Sequence, residues 1–208
     1  MSAISVLWTL LSVILLFTGS LAIFSPFWYE HLPDPKSANR SESFVAFGPL
    51  RFCFQDQFVT LQEINEFQDS KYCSFYEGIF PGIPSIFWKV AAIIYAVALM
   101  LQLVALVLAH VFCCRKFVFG KSVTSVAAII QSTSVVLLLV SFVIFWSGLK
   151  SLFVRQHCGS SSSYFNAGTC QIAWGSVLAI VSTGLLIFCP MIAYYLSVTT
   201  PRSKATVV

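Results

Sequence analysis

A chain of 208 residues that is 58% hydrophobic and only 10% charged lies well outside soluble domains, in which about 25% of residues carry charge. It holds 12 basic and 8 acidic residues, a formal charge of +4, and every acidic residue from Glu30 to Glu77 falls in one polar stretch. These figures exclude a water-soluble enzyme and a nucleic-acid-binding module, and leave an integral membrane protein with one large polar loop.

A bilayer core about 30 Å thick takes roughly 20 apolar residues per helix. Four runs qualify: Ile4 to Phe24, Val90 to Val111, Val123 to Phe145 and Ile172 to Leu196, none containing Asp, Glu, Lys or Arg. Unpaired backbone groups are too costly in lipid, so the runs must be helical. With their flanks they predict a single tetraspan domain over 1–208, with helices at about 4–27, 87–112, 122–148 and 172–197. The first run reads as a retained helix rather than a cleaved signal. It lacks a basic leading segment, and aromatic Phe27 and Trp28 stand where a cleavage site needs small residues.

Basic residues in short loops mark the cytoplasmic side. Arg115, Lys116 and Lys121 fall in the 113–121 connection, Arg202 and Lys204 in the 198–208 tail, and neither segment holds an acid. Both termini are therefore expected in the cytoplasm of a plasma-membrane protein, with loops 28–86 and 149–171 outside. The sequon Asn39-Arg40-Ser41 agrees, since glycosylation at Asn39 needs a lumenal segment. So do the four cysteines of the outer loops, where disulfides persist.

In the first outer loop, aromatic and polar residues alternate roughly with period two along Ser43–Phe47 and Leu50–Gln55 with a break at Gly48-Pro49, which predicts a strand, a turn and a second strand. Phe58, Leu61, Ile64 and Phe67 recur at three-residue steps, the pattern of a short amphipathic helix. Cys53, Cys73, Cys158 and Cys170 allow three disulfide connectivities, and spacing alone does not choose. The within-loop pairing, Cys53 with Cys73 and Cys158 with Cys170, is the expectation carried forward.

Cys113 and Cys114 stand beside Arg115 and Lys116 at the inner end of the second helix, a setting for reversible palmitoylation or for free interfacial thiols. Trp28, Trp88, Trp146 and Trp174 fall near the outer ends of the four helices and read as an aromatic belt at the headgroups. Gly175, Ala179 and Thr183 form a small-residue stripe of the kind that lets helices approach closely.

Material for catalysis is scarce. The spans offer Gln102, His110 and Gln131 as their most polar groups, whereas intramembrane chemistry usually places ionisable groups against a cavity. His110 with Cys113 and Cys114 lacks a fourth ligand for a metal site. No Gly-x-Ser-x-Gly elbow, phosphate-binding glycine loop or His-Glu-x-x-His occurs, so neither enzyme activity nor a cofactor is expected. Gly159–Ser163 reads as flexible loop. The end Thr206-Val207-Val208 has the form that adds a strand to a PDZ domain of a scaffold protein.

Taken in order, several short motifs resemble the lipoma HMGIC fusion partner-like tetraspan family, within the claudin and peripheral myelin protein superfamily. They are Leu7-Trp8-Thr9-Leu10-Leu11-Ser12, Pro26-Phe27-Trp28, Ile83-Pro84-Ser85-Ile86-Phe87-Trp88, Cys158-Gly159 and Gly168-Thr169-Cys170-Gln171-Ile172-Ala173-Trp174. Trp8, Pro26, Trp28, Pro84, Trp88, Gly168 and Trp174 carry the pattern. The chain departs from it at Cys73-Ser74, at Phe145–Leu149 and at Ala173, and it lacks the Gly-Leu-Trp run of true claudins.

The resemblance implies an all-α membrane fold with a small β layer: a left-handed four-helix bundle capped by an extracellular antiparallel sheet, to which the second outer loop adds a strand. It also implies a non-catalytic auxiliary or adaptor subunit that aids assembly, trafficking or clustering of another integral membrane protein, a channel, receptor or cadherin-like molecule. Family members so described serve the mechanotransduction complex of hair cells and inhibitory ligand-gated receptors. The alternative expectation is a claudin-like junction protein that forms lateral polymers, and homo-oligomers remain open.

Overall fold

The computed structural model describes residues 3–31, 44–55, 71–78, 80–114, 117–118 and 121–199. Four helical segments are long and apolar enough to cross a membrane. The first is α1 (Ala3–Phe24), the second α2 (Ile86–Cys114) and the third α3 (Val123–Ser147); the fourth is divided into α5 (Trp174–Leu186) and α6 (Phe188–Thr199). A short helix, α4 (Leu152–Cys158), follows α3 through a 3-10 turn at Gly148–Lys150.

Small and polar side chains face the middle of the bundle. On α1 the buried positions Ser5, Trp8, Ser12, Leu15, Gly19 and Ala22 recur at steps of three or four, while Leu7, Leu10, Ile14, Phe17 and Leu21 are exposed. Lipid is as apolar as leucine, so helix association there rests on close packing and interhelical hydrogen bonds. Ser134 and Ser141 of α3 supply two, donating to the carbonyls of Ala98 (2.8 Å) and Ala91 (2.9 Å) on α2. Gln131 supplies two more: it accepts from the Trp8 indole at 3.1 Å and donates to Ser12 Oγ at 3.0 Å. Tyr95 donates to the carbonyl of Gly19 at 3.2 Å. Gln102 is also buried, with no hydrogen-bond partner among the described residues, whereas exposed His110 bonds through Nδ1 with the carbonyl of Leu106 on its own helix.

The fourth span is not the unbroken 172–197 helix that its apolar run predicts. Gln171–Ile172 is a strand, because Ile172 pairs with Tyr29 in the sheet, and helix starts only at Trp174. The break at Ile187 precedes Pro190 by three residues. Proline has no N–H to offer Leu186, and its ring crowds that carbonyl.

The chain between α1 and α2 builds most of an antiparallel sheet. Its strands β1 (Tyr29–His31), β2 (Val45–Phe47), β3 (Arg51–Gln55), β4 (Lys71–Phe75) and β7 (Gln171–Ile172) lie in the order β4-β3-β2-β1-β7. The predicted strand-turn-strand is β2, Gly48-Pro49 and β3, with Phe47 opposite Phe52. A small hairpin, β5 (Phe117–Val118) with β6 (Lys121–Ser122), joins α2 to α3.

Candidate interaction site

The sheet is seated on the bundle by aromatic side chains delivered from every element that meets there. Helix α1 ends at Phe24 and the chain turns through Ser25-Pro26, which brings the Trp28 indole back to donate to the Ala22 carbonyl at 2.7 Å. That bond satisfies one of the acceptors that a helix end leaves open. The Trp28 peptide N–H donates to Phe47 O at 3.2 Å, so the same residue begins the sheet. Phe47 stacks on Trp88 (5.4 Å between centroids), and Trp88 stacks in turn on Phe145 (5.2 Å). Trp28 meets Phe145 edge-on at 4.7 Å, and Phe153 of α4 closes the cluster against Phe47 and Trp88 at 5.7 and 6.1 Å. Each such pair is worth roughly 0.5–1.5 kcal/mol beyond the area it buries, so the cluster packs the sheet onto the ends of α2 and α3.

This geometry corrects the reading of four tryptophans as a headgroup belt. Trp28 and Trp88 are 2% and 0% exposed, covered by the sheet rather than by lipid headgroups. Trp146 is half-buried and Trp174 exposed, the latter beside Phe27 at 5.9 Å. A ring at a helix end lies at the headgroup level only where nothing folds over it.

Two disulfides tie the layer together. Cys53 and Cys73 are directly opposed on β3 and β4 and bonded, with Cα atoms 4.1 Å apart. Cys158, at the end of α4, is bonded to Cys170 just before β7, with Cα atoms 5.2 Å apart. Inside that loop the Thr169 N–H and hydroxyl both donate to Cys158 O, at 2.9 and 3.0 Å. Gly168 has a φ of 69° and lies so close to Cys158 O that a Cβ would collide with it, a position that glycine alone fills without strain. Gly159–Ser163 is less free than its composition suggests. Ser162 is buried, and Ser163 bridges to Asn166.

Burial raises the acidity threshold of two phenols in this layer. It pushes the Tyr29 hydroxyl up to about 12 against a hydrogen bond with Trp146 that acts in the opposite sense, and it pushes Tyr76 up further still. The Tyr76 hydroxyl donates to the Gly48 carbonyl at 3.2 Å, so it holds the β2–β3 turn.

The predicted site residues are distributed as follows. Pro26 is buried at the α1–β1 turn and Pro84 exposed before α2. Trp8 is in the bundle, hydrogen-bonded to Gln131. Cys113 and Cys114 are the last two residues of α2. Asn39, the Phe58–Asp69 segment and Thr206-Val207-Val208 lie outside the described residues. Among the described residues no three His, Cys, Asp or Glu side chains come together. Strand β4, at one edge of the sheet, carries exposed Tyr72 and Phe75, with the Arg51 guanidinium 4.8 Å above the Phe75 ring.

The sequence that folds into this tetraspan bundle, with a disulfide-tied sheet from its first connection and a strand from its last, matches a family model. The family model for "lipoma HMGIC fusion partner-like protein" fits residues 4–198. The chain belongs to this family. LHFPL tetraspan subfamily member 2a protein of Danio rerio is 25% identical over 201 residues, covering 96% of this chain and 89% of the relative. LHFPL tetraspan subfamily member 7 protein of Xenopus tropicalis is 27% identical over 200 residues, covering 93% and 91%. Member 2 of Homo sapiens is 25% identical over 209 residues. The matches to these lipoma HMGIC fusion partner-like relatives cover nearly the whole of this chain.

The residues missed by sequence reasoning are those that meet across the chain. Phe153 is the middle of an apolar triplet, Leu152-Phe153-Val154, in a short connection between two spans, and Ser176, whose hydroxyl donates to Trp28 O at 2.7 Å, looks like any small residue of a membrane helix. Residues 152–158 run Leu-Phe-Val-Arg-Gln-His-Cys, three apolar and then three polar, and no local period marks α4.

Proposed function

We propose that this four-pass membrane protein is a non-catalytic auxiliary subunit whose sheet layer docks on the extracellular part of another integral membrane protein. The observation that carries this reading is the Phe47–Trp88–Phe145 stack, which makes the sheet a rigid extension of the membrane helices. A rigid platform binds with little loss of conformational entropy and holds its partner at a fixed height above the bilayer. The acidic residues concentrated in the same loop favour selection among partners over strong attraction. The reading includes a plasma-membrane location with both termini cytoplasmic.

The test is quantitative cross-linking and co-purification from native membranes, with tagged wild-type protein and a Tyr72→Glu, Phe75→Glu double variant. The reading expects a stoichiometric membrane-protein partner that the double variant loses. Recovery of both proteins as partner-free monomers at normal surface levels would overturn it. Enzymatic removal of N-linked glycan from surface-exposed protein tests the orientation, since a cytoplasmic first loop would leave Asn39 bare.

One observation favours a second reading. Strand β4 is at the edge of the sheet, and an edge can pair with the same strand of a second copy. A junction-type lateral polymer would then form, visible as strands in freeze-fracture of transfected cells.

A further inference from the structure

The loop closed by Cys158 and Cys170 presents two aromatic side chains that neither the sheet nor the bundle covers. Ser163 N–H donates to Asn166 O at 2.9 Å and Asn166 N–H to Ser163 O at 3.2 Å, so Tyr164 and Phe165 are the central pair of a tight turn. Tyr164 is 54% and Phe165 61% exposed. Phe165 has a φ of 61°, in the left-handed region where turns ordinarily place Gly or Asn. The backbone therefore holds a bulky apolar ring outward at a conformational cost.

What this turn is attached to defines its level. The Phe165 N–H donates to the carbonyl of Trp146 at 3.4 Å, in the last turn of membrane helix α3. Lys150 is the final residue of that span, and its Nζ lies 4.7 Å from the Tyr164 ring centroid. The turn thus hangs beside the end of a spanning helix, in contact with half-buried Trp146 and exposed Lys150. Aromatic rings and a lysine at a helix end are what the interfacial layer of a bilayer accommodates best.

We propose that the Tyr164-Phe165 turn is a lipid anchor, in which the Phe165 ring enters the boundary between headgroups and acyl chains and Lys150 pairs with a phospholipid phosphate. The anchor fixes the second loop against the membrane surface. Through the Cys158–Cys170 bridge and the Tyr29–Ile172 pairing it also limits the tilt of the sheet.

The experiment uses the full chain in phosphatidylcholine–phosphatidylserine liposomes with photoreactive p-benzoylphenylalanine at position 165, and as a control at exposed Tyr72 of β4. Irradiation is expected to give a phospholipid adduct at 165 and none at 72. A 165 probe that couples only to a second copy of the chain, or that stays unreacted, overturns the proposal. Phe165→Gly provides an independent arm because it removes the ring and relieves the left-handed strain together. Its thermal midpoint in detergent should equal or exceed wild type. In liposomes, amide exchange across 159–170 should rise on the order of tenfold, as expected when a contact worth one buried aromatic side chain is lost. Phe165→Asn serves the same purpose should the glycine variant fold poorly. Unchanged exchange in liposomes for a folded variant refutes the anchor.

Discussion

The Trp88 indole donates to the carbonyl of Phe145 at 3.2 Å while its ring is stacked between Phe145 and Phe47, and this one side chain joins α2, α3 and the sheet. The space it occupies is set by Gly148, where an added Cβ would stand 2.6 Å from Trp88 Cδ1 and 2.7 Å from Nε1.

Gly148→Ala should therefore displace Trp88 and cost about 1–3 kcal/mol, the range for overpacking a well-filled site. Thermal unfolding in detergent, followed by tryptophan fluorescence, reads it as a lowered midpoint. A wild-type midpoint would mean that the indole can move aside freely and that the stack is not rigid.

Gln131 is the second crossing point, satisfied on both sides by Trp8 and Ser12 of α1. Replacing it with leucine takes one donor from Ser12 Oγ and leaves the Trp8 indole N–H without its acceptor inside the bundle, where an interhelical hydrogen bond is worth about 0.6–2 kcal/mol. Gln131→Leu should lose stability, and a double-mutant cycle with Trp8→Phe should give a positive coupling. Additive losses would show that the two side chains do not share a bond.

The four spans were legible because lipid imposes a length and a composition that no other environment demands. The β2–β3 hairpin was legible through alternation around Gly48-Pro49. Strand β1 is only Tyr29-Glu30-His31, too short for any period to show, and β4 mixes Lys71, Tyr72 and Ser74 around a cysteine. Burial of Trp28 and Trp88 depends on what folds over them, and the Trp8–Gln131 bond spans 123 positions. No local pattern encodes either. The kink before Pro190 was hidden for a different reason, since proline barely interrupts an apolar count.

The buried phenols make the layer sensitive to alkali. Tyr29 ionises near 10 in the unfolded chain and at about 12 in the folded one, and Tyr76 is shifted in the same direction. Below pH 10 both states keep the proton and the stabilisation is whole; as pH rises through 10 towards 12 only the unfolded state loses it, so stability falls. For Tyr29 a shift of this size corresponds to roughly 2–3 kcal/mol by pH 12. Chemical denaturation at stepped pH should show this decline, and Tyr29→Phe should flatten it; an equal slope in the variant would remove Tyr29 as the cause.

Each disulfide closes a short loop, with sequence separations of 20 and 12, and in the chain-entropy model is worth about 3 kcal/mol. Cys53→Ser with Cys73→Ser should destabilise the sheet and leave the helical content, since the spans need only lipid. Circular dichroism with limited proteolysis distinguishes the two: protease-sensitive loops with intact helicity are expected, and loss of helicity would mean that the bundle depends on its cap.

Gly175 and Gly184 lie on the same helix and should respond in opposite directions. The Gly175 N–H donates to Phe27 O at 2.7 Å, and a Cβ there would stand 2.7 Å from that oxygen and 2.8 Å from Ser25 Oγ. Alanine must push the start of α5 away from the α1–β1 turn. That loosens the Gly175 bond and the neighbouring one from Ser176 to Trp28 O, at a cost of about 1–3 kcal/mol. Around Gly184 nothing lies within 4 Å of an added Cβ, so alanine there only removes the conformational entropy of glycine and should stabilise the helix by up to roughly 1 kcal/mol. Midpoints measured side by side in one detergent should fall for Gly175→Ala and rise or hold for Gly184→Ala. A shared direction would mean that glycine content, and not the close approach of α5 to Phe27, governs the stability of this corner.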